Sequence, residues 1–158
     1  MSEASRLSDS FKTTYWLIGK FAEGLTHEDS VVQPPFKANT FNWVLGHILV
    51  GRDRALSMLG QTPALNTANT SLYQSGSDPV NGETAVTLDR LLQLLDVSQK
   101  ALINGLEIAT PEALAEIYDE SKEQSVGDRL AGEHWHETYH VGQLEILRQI
   151  SGEREAFP

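Results

Sequence analysis

Residues 125–150 read SVGDRLAGEHWHETYHVGQLEILRQI. Ser125 and Asp128 have capping-box spacing, with Asp in place of the usual Glu or Gln, so a helix opens there. Its periodicity carries it to about Ile150, and Gly152 ends it. At about 100° per residue, His136 and His140 lie about 40° apart on one face, with about 6 Å of rise between them. His134 points about 160° away from His136 by the same arithmetic. The face of His136 and His140 continues through Gln143, Leu147 and Ile150 into an apolar stripe. In the other direction it passes Glu133 and Arg129. Two imidazoles thus sit where a core-facing stripe gives way to polar surroundings. Buried imidazoles need partners, and two on one turn invite a shared ligand.

Three further segments carry helical periodicity. The first runs from about Ser5 to Leu25, with Leu7, Phe11, Tyr15, Ile18 and Leu25 on its stripe, and Pro34-Pro35 bars any helix beyond it. The second begins near Thr40, where Asn39 and Thr40 are both N-cap types, and Gly60 is placed to end it. Val44, Ile48, Ala55 and Met58 lie on its stripe. The third runs from about Thr87 to Ala109 on Leu88, Leu91, Leu95, Leu102 and Leu106, and a short helix follows from Pro111 to about Ile117. Between the second and third helices, residues 61–84 are rich in Thr, Asn, Ser, Gly and Pro and read as a long loop. A connection that long in a compact domain is a crossover or a lid, and a crossover lets two consecutive helices run parallel. No segment alternates with period two, so no sheet is expected. The fold class is therefore all-α: a four-helix bundle with a long crossover between helices two and three, residues 1–158 forming one domain.

Composition narrows the function. Hydrophobic residues make up 40% and charged residues 22%, which is ordinary for a globular chain and argues against disorder. The formal net charge of -10 repels phosphate backbones, so no nucleic-acid partner is expected. No apolar run reaches the roughly 20 residues of a membrane helix, and MSEASRLSDS does not read as a secretory leader. A cytoplasmic protein with no membrane partner is the expectation. With no cysteine, any metal is held by nitrogen and oxygen, and any thiol must come from a small molecule.

A third ligand for the His136/His140 pair must come from another helix, and His47 on helix two is the best placed. Three imidazoles leave coordination positions open, as catalytic zinc sites do, and they suit Zn, Ni, Cu or Fe. Each residue also has a plainer reading. A histidine on an apolar face is often a hydrogen-bonded core residue. Glu133 and Glu137 read as surface charges, Trp43 and Trp135 as packing residues, and His27 and His134 as solvated. His136-Glu137-Thr138-Tyr139-His140 matches the H-E-x-x-H zinc-protease pattern. However, only 18 residues follow His140, and Gly142 is misplaced for the extended metzincin spacing. Glu137 is nonetheless the candidate catalytic residue, a general base if its carboxylate reaches the metal's open positions. Tyr139 and Gln143 are candidates for acid/base or orienting roles, and Glu133 for a partner to an imidazole N–H.

Asn42-Trp43-Val44-Leu45-Gly46-His47 with Arg54, taken together with His136-Glu137-Thr138-Tyr139-His140-Val141-Gly142-Gln143-Leu144, resembles the DinB-like (YfiT-like) metal-binding four-helix bundles over nearly the whole chain. The resemblance implies that His47, His136 and His140 form a three-histidine divalent-metal site, with Zn or Ni the leading metals. It implies a metal-dependent transferase or hydrolase acting on a small electrophilic substrate, with a low-molecular-weight thiol as cosubstrate in the transferase case. It also implies a homodimer. The alternative is a non-catalytic metal-binding or stress-response protein whose metal is structural.

Overall fold

A computed structural model describes residues 2–152. Its elements in chain order are α1 (Glu3–Ala22), α2 (His27–Ser30), α3 (Phe41–Met58), α4 (Thr67–Tyr73), α5 (Leu88–Ile108), α6 (Pro111–Ala115), β1 (Ile117–Asp119), β2 (Gln124–Ser125) and α7 (Val126–Ile150). Each long helix starts at a hydroxyl that accepts the N–H three residues on: Ser2, Thr40, Thr87 and Ser125. The expected capping box of Ser125 and Asp128 is present in full.

The four long helices form the bundle, with α7 packed on α1 and α3, and α5 packed on the same two. Matched contacts give their directions. Thr14 meets Glu137 and Lys20 meets Arg148, so α1 and α7 run parallel. His47 meets His136 while Arg54 meets Glu133, so α3 and α7 run antiparallel. Arg52 meets Gln99 while Leu59 lies over Gly105, so α3 and α5 run parallel. The long connection is thus a crossover.

Several boundaries differ from the sequence expectation. Helix α1 stops at Ala22 rather than Leu25, because Gly24 adopts φ 84° and turns the chain. The 61–84 segment is not all loop, since it contains α4, capped by Asn66. Polar composition hides this helix, whose one large buried side chain is Tyr73. A two-stranded antiparallel hairpin corrects the expectation of no sheet. Strands of three and two residues are too short to show alternation, and Glu123 makes the turn at φ 53°.

The apolar core has two parts. One gathers Ile18, Leu45, Leu49, Leu91 and Leu144, and the other Phe11, Leu56, Leu102 and Leu130. On every long helix the boundary between them falls near mid-length, and buried polar residues fill it: Thr14, Arg52, Ser98, Gln99 and Glu137. The fully buried Arg52 guanidinium donates to both oxygens of Glu137, at 2.8 and 2.7 Å, and to Gln99 Oε1 at 2.8 Å. Thr14 donates to the same carboxylate. Each of the four helices therefore contributes to one hydrogen-bonded knot.

Candidate metal centre

His47, His136 and His140 converge. The Nε2 atom of His136 lies 3.1 Å from Nε2 of His47 and 3.1 Å from Nε2 of His140. One ring nitrogen from each of the three falls within 4.8 Å of the others, and no other His, Asp or Glu among the described residues joins the group.

Outer contacts fix two of the rings. His47 Nδ1–H donates to the Tyr73 carbonyl at 2.7 Å, and His140 Nδ1–H donates to Gln143 Oε1 at 2.7 Å. A proton on Nδ1 leaves the Nε2 lone pair free, so both lone pairs face the cluster. Burial pushes the pKa of all three imidazoles down, and that of His140 to about 4. They are neutral at pH 7, which is the protonation state a metal ligand needs. The donor set fits a divalent cation: three neutral imidazoles, two of them already oriented.

The connection between α3 and α5 builds one wall of this site. Tyr73 lies flat over Gly46, where a Cβ would sit 2.3 Å from two ring carbons. The Tyr73 hydroxyl donates to Asn42 Oδ1 and accepts the Val86 N–H, both at 2.9 Å. Asp53 holds the start of the connection by accepting the Ala64 and Leu65 N–H groups. Trp43 stacks on His47 at 4.8 Å and donates to Ser77 Oγ in the same connection.

This geometry and the sequence agree on kinship. A family model described as the DinB superfamily matches residues 11–144. The chain belongs to the DinB superfamily. Among solved structures, the DinB fold here is similar to a crystal structure of a conserved protein from Enterococcus faecalis. That match has a TM-score of 0.78 and 15% identity over 98% of this chain and 99% of that one. At that identity the likeness is one of fold. No curated protein matches the sequence.

The remaining candidates fall in different places. Gln143 accepts the His140 Nδ1–H and so orients that ring. Tyr139 is 58% exposed and sets its ring against the edge of His140. Glu137 is buried, not a surface charge, and both its oxygens are committed to Arg52. Glu133 is buried too, held by Arg54 and Arg129. Trp135 is not a packing residue, being 70% exposed. His27 and His134 are half-buried rather than solvated. His27 accepts the Leu88 N–H at the start of α5, and His134 meets the Phe11 ring edge-on. Sequence reading missed Arg52 and Tyr73. The signal for Arg52 was its place in the otherwise apolar stripe Leu45, Leu49, Arg52, Leu56, opposite Glu137 between Leu130 and Val141.

Proposed function

We propose that this DinB superfamily member is a divalent-metal enzyme, with Zn or Ni held by His47, His136 and His140. In this reading it joins a small-molecule electrophile to a low-molecular-weight thiol, or to water in a hydrolase variant. The single observation that carries the reading is the inward convergence of three imidazole Nε2 atoms with no fourth protein ligand among the described residues. A structural site would be closed by four protein ligands. When bound, the cation supplies Lewis acidity, which lowers the pKa of a thiol or water.

The chain's own residues do the rest. Tyr73 and Gln143 fix the Nδ1–H tautomers of His47 and His140. The Trp43 ring shields one face of His47 from water. Glu137, tied to Arg52, acts as a positioning residue that sets the register of α7 against α3, rather than as the base. A homodimer belongs to the same proposal. Trp135, Tyr139 and Ile146 are 70%, 58% and 57% exposed and share one stripe of α7, an apolar face of the kind that a second copy covers.

Elemental analysis of untagged protein tests the site, with about one divalent ion per chain expected and loss of the ion in His136→Ala and His140→Ala. A panel of small thiols with a generic electrophile, with and without metal, tests the activity. A bound ion with no metal-dependent turnover from any thiol, and no hydrolysis, would assign the metal a structural role instead.

A further inference from the structure

The third imidazole differs from the other two. His136 Nδ1 is buried and has no protein hydrogen-bond partner, whereas the Nδ1 atoms of His47 and His140 each have one. Beside it lies Gly51 of α3. The point where a Gly51 Cβ would stand is 3.4 Å from His136 Nδ1, 3.4 Å from Glu133 Oε2 and 3.6 Å from Arg54 Nη2. Glu133 Oε1 already accepts two hydrogen bonds, from Arg54 Nε at 3.1 Å and Arg129 Nη2 at 2.7 Å. Its Oε2 accepts one, from Arg54 Nη2 at 2.8 Å. A carboxylate has about four acceptor sites, so the spare one is on Oε2, the oxygen facing Gly51. Two arginines hold that carboxylate where it is.

The geometry points to Glu133 as the positioning residue for His136, taking its Nδ1–H through one ordered water seated against Gly51. The water would have three partners: an imidazole donor, a carboxylate acceptor and a guanidinium donor, within the two to four that buried waters use. The choice it enforces is between tautomers. With the proton on Nδ1, His136 Nε2 offers its lone pair to the cluster. With the proton on Nε2, His136 donates across 3.1 Å to His47 or His140, and the three rings close on one another. Glu133 and the glycine thus keep the cluster open to a cation. Ligand histidines commonly rely on such an outer partner, and its loss typically costs 10- to 100-fold in metal affinity.

The inference rests on the metal-site reading, but its first test needs no metal. Nitrogen-15 NMR of the metal-free protein should show His136 protonated on Nδ1. Gly51→Ala should shift it to Nε2 and weaken zinc binding about 10- to 100-fold in a chelator competition. The same variant should be no less stable to urea, because alanine favours a helix interior over glycine and its contacts at 3.4 Å are ordinary. Glu133→Gln should move the tautomer in the same direction. A wild-type His136 protonated on Nε2 would overturn the inference, as would an unshifted tautomer in Gly51→Ala. Absence of zinc binding in the wild-type protein, with His136 protonated on Nδ1, would sink the metal reading and leave the Glu133 link standing.

Discussion

Replacing Gly46 by alanine tests whether the crossover connection is part of the metal centre. The new methyl would lie 2.3 Å from Cγ and Cδ1 of Tyr73 and 2.7 Å from Cδ2. Carbon atoms rest at about 3.5–4.0 Å, so the ring must retreat by more than about 1 Å. Overpacking of this kind costs about 1–3 kcal/mol. Retreat also stretches the two hydrogen bonds of the Tyr73 hydroxyl, each worth about 1 kcal/mol net. Helix propensity returns up to about 1 kcal/mol. The balance is a loss of about 2–4 kcal/mol in urea denaturation of the metal-free protein. Moving Tyr73 also moves its carbonyl away from His47 Nδ1, so zinc affinity should fall by about 10- to 100-fold in chelator competition. Gly142→Ala is the control, because nothing lies within 4 Å of its Cβ position. That variant should be as stable as the parent or more so, with unchanged affinity. Wild-type stability and affinity in Gly46→Ala would refute the account of α4 as a wall of the site.

Glu137→Ala leaves the Arg52 guanidinium buried without its counter-charge and should cost about 3–5 kcal/mol in urea, whereas an Arg52→Met/Glu137→Leu double variant should recover much of that. Because burial holds the three site imidazoles below their ordinary pKa, the unfolded chain binds more protons below about pH 6.5. Metal-free stability should therefore be level well above pH 6.5 and fall as the pH drops through about 6.5 towards 5, and a flat profile across that window would contradict the burial argument. Zinc binding at pH 6.5 should release fewer than the roughly 1.5 protons that three ordinary imidazoles would give up, as read by calorimetry in two buffers. Ile146→Glu should convert a dimer to a monomer in sedimentation velocity, and a parent that is already monomeric removes the homodimer from the proposal.

The four long helices are legible in the sequence because each combines a cap with a stripe that repeats every three or four residues. The His136/His140 pair is legible for the same reason, as its spacing is local. What joins distant segments is harder to read. Asn66 caps α4 as well as Thr40 caps α3, but α4 buries only Tyr73, so no stripe announces it. Glu133 and Glu137 look like surface charges until their arginine partners are known, and two of those, Arg54 and Arg52, lie on another helix. The tautomer of His47 depends on a backbone carbonyl 26 residues away, which no side-chain pattern encodes.

The knot of Thr14, Arg52, Gln99 and Glu137 has a consequence for how the chain reaches its native state. Its hydrogen bonds are complete only when all four long helices are docked. A subset of helices could satisfy the apolar surfaces of one core cluster, but would bury a charge without its partner. Compact partial forms are thereby penalised relative to the full bundle, so the two halves of the core should melt in a single cooperative step despite being separate apolar clusters.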